Sequence, residues 1–188
     1  MGCSGVLGRR TLSIEAEMKK LRVIDTSVFC VWLRVPGFDN CGPTHDLWDF
    51  DRIESELTQA EKQGEQFVLP LAVIIETGNH IAQSAGNHRY QVAQRFVACI
   101  EKTTNNESPW VFFGDQTAFW EPQKLVELTS EWIQYVSSGS SFGDISIKKV
   151  AEYYANTGNL EVLIFTGDAG LNAFQPEKPP LIPRRRKP

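Results

Sequence analysis

The sequence has few of the residues that mark secreted or zinc-binding proteins. It contains four cysteines and three histidines in 188 residues, with no CxxC pair and no Cys/His cluster. Wide spacing of Cys3, Cys30, Cys41 and Cys99 favours a reduced setting, with Cys30 and Cys99 as small core residues. No apolar run approaches the roughly 20 residues that span a bilayer, and the N-terminus lacks the apolar core of a signal peptide. We therefore expect a cytoplasmic protein with no membrane segment.

The composition is otherwise that of an ordinary globular domain, with 41% hydrophobic and 22% charged residues. The net charge of −4 gives no first indication of a nucleic-acid partner. This charge is unevenly spread, however: residues 1–22 carry five basic and two acidic side chains, and residues 178–188 carry five basic and none acidic. An acidic globule therefore lies between two basic ends. We expect a flexible lead-in over residues 1–20, one domain over residues 21–174, and a basic, proline-rich tail over residues 175–188.

Short apolar runs alternate with longer amphipathic segments along the chain. The runs predict strands at Leu21–Asp25, Gln66–Leu69, Trp110–Phe113 and Val162–Thr166. The amphipathic segments predict helices at Thr26–Trp32, Asp46–Gln63, Leu71–Gln83, His88–Thr103, Pro122–Val136 and Asp144–Asn156, with Tyr90 and Val97 among the inward residues of the fourth. This alternation predicts an α/β protein with three α/β/α layers around a parallel central sheet.

Four acidic residues occur where folding alone does not require an acid. Asp25 and Asp168 follow two predicted strands, Glu76 lies within an apolar helical run, and Asp144 opens a helix after a Ser/Gly loop. Ligands of open parallel sheets bind beyond the carboxyl ends of the strands, where the first two acids lie. Carboxylates that converge there repel one another unless a cation joins them. All-oxygen ligation favours Mg²⁺ or Mn²⁺, which activates water for attack on a phosphodiester.

Each acid also has a simpler interpretation by itself. Asp25 could cap the following helix, Asp144 is a favoured N-cap residue, and Asp168 could belong to a turn. Glu76 could lie on the solvent side of its helix, although Val73 and Ile75 leave few faces for solvent. The joint occurrence of the four acids favours a shared site over four separate explanations.

Four sequence strings resemble the motifs of the PIN-domain nucleases, in the order in which those motifs occur. The first is Val23–Phe29, which carries Asp25 and Ser27; the second is Leu69–Glu76; the third is Gly143–Ile147, which carries Asp144; and the fourth is Leu163–Asp168, which carries Thr166. The resemblance covers about residues 21–174. Each string alone is weak, and it is their order and structural context that form the signal.

The resemblance implies a metal-dependent ribonuclease, and for many members a toxin of a toxin–antitoxin pair. It implies that Asp25, Asp144 and Asp168 bind Mg²⁺ or Mn²⁺, with Glu76 as a fourth catalytic acid that binds through water or orients the attacking water. Ser27 and Thr166 are implied to support the acids by hydrogen bonds. RNA is the implied substrate, with DNA less common, and an antitoxin or other regulatory protein and a second copy of the chain are the implied partners.

The basic tail and the rival functions remain alternatives at this point. Arg184, Arg185, Arg186 and Lys187 are either a solvated chain end or an arm that binds phosphate. A catalytically degenerate PIN-like scaffold that binds protein or RNA is the principal alternative to a nuclease. A phospho-acceptor domain also clusters acids at strand ends, but the chain lacks the strand-end lysine that such a domain requires.

Overall fold

The computed structural model describes residues 18–111, 114–157 and 160–179. Its strands are β1 (Lys19–Ile24), β2 (Asn40–Cys41), β3 (Trp48–Asp49), β4 (Gln66–Val68) and β5 (Leu160–Phe165). Its helices are α1 (Thr26–Trp32), α2 (Phe50–Lys62), α3 (Leu71–Gln83), α4 (Arg89–Thr104), α5 (Pro122–Tyr135), α6 (Phe142–Thr157) and α7 (Ala169–Asn172). Most of the predicted lead-in and the four basic residues 184–187 lie outside the described residues.

The central sheet has three parallel strands in the order β4-β1-β5. The strand β1 is central, pairing Leu21 with Gln66 of β4 and Val23 with Ile164 of β5. Helices flank this sheet, so the chain has the three-layer α/β/α architecture that the alternating pattern predicts. Because all three strands run the same way, their carboxyl ends lie at one edge of the sheet.

The sheet is apolar because helices cover it, as parallel sheets require. Val23 and Ile24 of β1 and Ile164 of β5 are at most 1% exposed. The helix α1 follows β1 after a single residue and buries Val28 and Phe29. Among the described residues, no helix is both long and apolar enough to cross a membrane.

A buried ion pair crosses from β1 to the residue before β4. Arg22 donates from Nε to Oε2 of Glu65 over 2.6 Å, and Glu65 is only 5% exposed. Lys20 lies 3.8 Å from the other oxygen of Glu65. Two of the five basic residues counted in the N-terminal region are therefore paired within the fold, and they do not belong to a free basic end.

The long helix predicted from Asp46 begins later, at Phe50. Asp49 caps it by accepting a hydrogen bond from the backbone N–H of Arg52 at 2.9 Å. The preceding residues form β3, which pairs antiparallel with β2. Asp46 lies outside the helix and pairs with Arg52 at 2.6 Å. The sequence predicts a helix here because the apolar residues before Phe50 continue the helical spacing of those after it.

Two further predictions need correction. The helix α4 turns Val92 and Cys99 inward, whereas Tyr90 and Val97 are 73% and 50% exposed. The predicted strand from Trp110 is reduced, in the described residues, to one parallel bridge between Trp110 and Phe67. Residues 112–113 of that prediction lie outside the described residues.

Candidate active site

A cavity of about 510 Å³ lies at the carboxyl ends of β1 and β5, and all four predicted acids line it. The acids come from four separate segments: Asp25 follows β1, Glu76 is in α3, Asp144 is in the first turn of α6, and Asp168 follows β5. The fold therefore brings together the residues that the sequence singles out. Ser27 also lines the cavity, and Thr166 donates a hydrogen bond to Asp25.

Asp25 is the most enclosed of these acids, with 5% of its surface exposed. Its Oδ2 accepts hydrogen bonds from Ser27 Oγ at 2.5 Å and from Thr166 Oγ1 at 2.8 Å. Burial raises the pKa of Asp25, the two hydroxyls oppose this rise, and the nearby charge of Asp144 adds to it. Among the residues that the structure describes, no basic side chain is among the groups that shift the pKa of Asp25. A buried carboxylate beside another acid and without such a cation is a favourable setting for a metal ion.

Thr166 connects Asp25 to the segment that carries Asp168. Its hydroxyl oxygen accepts a hydrogen bond from the backbone N–H of Asp168 at 2.9 Å, and the same hydroxyl donates a hydrogen bond to Asp25. Asp168 in turn accepts from the backbone N–H of Leu171 through Oδ1 at 2.7 Å and so caps α7. Asp168 is therefore a helix cap rather than a turn residue, and the same side chain also lines the cavity.

Glu76 is fixed from two sides. Its Oε2 accepts a hydrogen bond from Thr26 Oγ1 at 2.7 Å, which joins α3 to the start of α1. Its carboxylate also lies against Gly143: a Cβ built on that glycine would come 2.8 Å from Cδ of Glu76. Ile75 is 53% exposed, so the helix is less enclosed than its apolar sequence indicates. Glu76 nevertheless faces the cavity rather than open solvent.

Asp144 and Ser141 form a reciprocal pair at the start of α6. Asp144 Oδ2 accepts from the backbone N–H of Ser141 at 2.7 Å, and Ser141 Oγ accepts from the backbone N–H of Asp144 at 3.0 Å. This is a capping box, with Ser141 as the N-cap and Asp144 three residues later. One oxygen of Asp144 thus serves the helix, which leaves the other for the cavity.

The four carboxylates of the cavity are candidate ligands of a divalent cation. Among the described residues, no group of three or more His, Cys, Asp or Glu side chains is arranged to hold a metal ion. Four carboxylates nevertheless line the same cavity, and their donors are all oxygens. Mg²⁺ commonly keeps several waters and takes one or two carboxylates rather than a complete protein cage. The donor set therefore fits a hydrated hard cation, and direct ligation by Asp25, Asp144 and Asp168 together stays a prediction.

The cavity contains residues that the sequence pattern did not single out. Phe38 and His80 form part of its wall, with ring centroids 4.7 Å apart, and residues 138–140 form another part. The spacing of His80, four residues after Glu76, was a usable signal because residues four apart share one face of a helix. The position of Phe38 in an irregular loop gave no such signal.

The cysteines that the structure describes have raised thiol pKa values. Burial raises the pKa of Cys30 and of Cys99 to about 12, so both thiols stay protonated. This agrees with their expected role as small core residues, since both are free and buried. Burial also raises the pKa of Cys41, whose Sγ lies close to Gly167.

Two lysines of α6 form ion pairs with acidic side chains of the protein. Lys148 bonds Glu131 at 2.5 Å and Glu152 at 2.7 Å, and Lys149 bonds the same two acids. Burial would favour the neutral lysines, yet these hydrogen bonds raise the pKa of both. The cluster therefore fastens α5 to α6.

Comparison of the chain with models of protein families, with curated proteins and with solved structures found no match. The PIN resemblance therefore depends on the four motifs and on the cavity where their acids meet.

Proposed function

We propose that this chain is a PIN-like nuclease that uses Mg²⁺ or Mn²⁺ to hydrolyse RNA phosphodiester bonds in the cytoplasm. The observation that carries the proposal is the convergence of four acids, from four distant segments, on one cavity at the carboxyl ends of β1 and β5. Folding does not require four carboxylates to share a cavity, since each adds repulsion to the others. The three cysteines among the described residues are free, which supports a reducing location.

The chain's own residues divide the work in this proposal. Asp25 and Asp144 supply negative charge at the cavity floor, and the hydroxyls of Ser27 and Thr166 hold Asp25 in one orientation. Glu76, held by Thr26, accepts a proton from the attacking water. Asp25, Asp144 and Asp168 would hold the divalent cation, which would lower the pKa of a bound water and neutralise charge on the phosphate oxygens. As the water oxygen bonds to phosphorus, the bond from phosphorus to the 3′ oxygen breaks, and that oxygen takes a proton from solvent.

The direct test incubates the purified chain with fluorescent single-stranded RNA and DNA in Mg²⁺, in Mn²⁺ and in EDTA. We expect cleavage of RNA with either cation and none in EDTA, with products that carry a 5′ phosphate and a 3′ hydroxyl. Asp144→Asn should abolish cleavage and keep the helical circular dichroism. Asp51→Asn, at an exposed acid of α2 away from the cavity, is the matched control and should cleave normally. An inactive wild-type chain in both cations would contradict the proposal.

One observation favours a second candidate, a scaffold of the same fold that binds protein or RNA without cutting it. This observation is that no group of three candidate metal ligands is pre-arranged in the described residues. Titration calorimetry with Mn²⁺ separates the two functions. Binding that Asp25→Asn removes favours the nuclease, and no heat from the wild type favours the scaffold.

A regulatory partner or a second copy of the chain belongs to the same proposal, as for a toxin with its antitoxin. Exposed apolar side chains on α5 support it, since Val126 and Ile133 are 59% and 66% exposed. Light scattering during gel filtration should give twice the monomer mass for a homodimer. Loss of the larger species in Val126→Lys would place the contact on α5.

A further inference from the structure

We infer that Phe38 and His80 form a base-stacking wall beside the acids, which positions the base of a nucleotide whose phosphate lies among them. This inference rests on the proposed nuclease function and adds two residues that position the substrate. Among the described residues, these are the two aromatic side chains that line the cavity of the four acids. Other aromatic pairs, such as Phe67–Trp110, lie in the core cluster.

The geometry of the pair leaves ring surface for a ligand. The ring centroids are 4.7 Å apart and the planes are inclined by 57°, so neither ring covers the other face to face. Both residues are partly exposed, and Phe38 is anchored at its other side on the core cluster. An aromatic ring with one side in the core and the other at a polar cavity is a stacking surface with little mobility to lose on binding.

The position of the pair relative to the acids fits a nucleotide chain. His80 and Glu76 occupy successive turns of α3, and four residues of helix correspond to about 6 Å. A phosphate held among the acids would therefore place the base of its own or the next nucleotide near the rings. Bases in a duplex are already stacked on their neighbours, whereas unpaired bases are free to stack on protein.

The test measures binding by a cleavage-deficient chain, so that stacking is read separately from chemistry. Asp144→Asn supplies the background, and the probe is a short single-stranded RNA that contains 2-aminopurine, whose fluorescence falls on stacking. Phe38→Leu and His80→Leu keep apolar volume and remove the aromatic face, whereas Phe38→Tyr and His80→Phe keep an aromatic ring. Tyr90→Ala, at a 73% exposed ring on α4, is the control outside the cavity.

We expect each leucine variant to bind the RNA about 5- to 20-fold more weakly, from the usual effect of one stacked base. The tyrosine and phenylalanine variants should keep most of the affinity and the quenching. An RNA of the same length with abasic sites should bind the parent and the leucine variants alike, because it offers no base to stack. Equal losses on the normal and the abasic strand, or no loss in either leucine variant, would overturn the inference.

The outcomes also separate this inference from the proposed function. If the wild type cleaves RNA but Phe38→Leu and His80→Leu leave RNA binding unchanged, only the stacking wall is overturned. RNA binding that depends on the rings, without cleavage by the wild type, overturns only the nuclease. A wild-type chain that neither binds nor cuts RNA overturns both.

Discussion

Thr166 Oγ1 donates a hydrogen bond to Asp25 Oδ2 over 2.8 Å, and this bond joins the ends of β5 and β1 at the floor of the cavity. The same hydroxyl accepts from the backbone N–H of Asp168. One side chain therefore sets the orientation of one acid and the backbone position of another. Loss of this hydroxyl would therefore remove a hydrogen bond from both acids at once.

Replacing Thr166 by valine should weaken both the fold and the cleavage reaction. Valine keeps the shape but leaves the buried Asp25 oxygen and the Asp168 N–H without this partner, at a cost of about 1–3 kcal/mol. Urea denaturation measures the loss of stability, and RNA cleavage at saturating Mn²⁺ measures the loss of rate. Thr166→Ser keeps the hydroxyl and should stay close to the wild type. Equal effects of the two substitutions would contradict the role of the hydroxyl.

The pH dependence of stability should carry the mark of Asp25. Because burial raises its pKa, the folded chain binds this proton more tightly than the unfolded chain does. The cost of ionising Asp25 is thus absent well below the ordinary value of 3.8 and grows as the pH rises through that value toward the folded pKa. Relative to Asp25→Asn, the free energy of unfolding of the wild type should fall over this range and then level off.

Urea denaturation of both proteins in EDTA at closely spaced pH values provides the measurement. Asp51→Asn, at an exposed acid, should show no comparable pH-dependent difference. Addition of Mn²⁺ at neutral pH should restore stability to the wild type more than to Asp25→Asn. A difference that stays constant from acid to neutral pH would show that Asp25 ionises as in the unfolded chain.

Gly143→Ala should displace the carboxylate of Glu76. The added Cβ would meet the Glu76 side chain, which must then leave its position beside Thr26. We expect cleavage to fall by an order of magnitude or more, whereas the free energy of unfolding should change by at most about 1 kcal/mol, because the group that must move is the end of a flexible side chain. Gly78→Ala, in α3 with no atom within 4 Å of the new Cβ, is the control, and it should stabilise the helix by about 0.5–1 kcal/mol. Normal cleavage by Gly143→Ala would separate Glu76 from the reaction.

Two substitutions in the capping box should separate its structural and chemical roles. Ser141→Ala removes the N-cap of α6 and should cost about 0.5–2 kcal/mol, with cleavage retained at low temperature. Asp144→Asn keeps an oxygen that can accept from Ser141 but removes the charge, so cleavage should be lost at little cost in stability. Thermal denaturation and cleavage rates give both readouts. The reverse pattern would make Asp144 a helix cap alone.

The tail supplies a test of the basic ends. Lys178 already pairs with Glu161 at 2.5 Å, so the remaining candidates are Arg184, Arg185, Arg186 and Lys187. Replacing these four by alanine should lower the slope of log affinity against log salt by up to about 3, at about 0.7 for each contact with single-stranded RNA. Fluorescence anisotropy at several salt concentrations measures the slope. An unchanged slope would make the tail a solvated chain end.

The sheet and most helices followed from the sequence because their signals are local. The predicted strand β1 and the predicted bounds of α1 and α3 agree closely with the structure. A single residue, Asp25, separates β1 from α1, and Pro70 immediately precedes α3. The start of α2 was not predicted correctly, because the two-residue pairing of β2 with β3 depends on contacts between distant residues. The exposed Tyr90 and Val97 show the same limit: periodicity gives a helix, but its neighbours decide which face is buried.

The acids of the site were recognisable because a shared chemistry repeats at the ends of several elements. Their supporting groups were less so. Ser141 is recognisable as a cap only once the start of α6 is known, and Gly143 matters only because Glu76 of another helix packs against it. Phe38 lines the cavity because of the path of the loop that carries it, and hydrophobic periodicity does not predict the path of a loop.

The bond between Thr166 and Asp25 spans 141 positions of the chain. During synthesis, β1, α1 and α3 leave the ribosome long before β5 exists, so Asp25 waits without its partner and the cavity lacks one wall. Contacts between such distant residues are among the last to form in folding. If the chain has the proposed nuclease activity, a nascent chain cannot cut RNA before translation has passed Asp168.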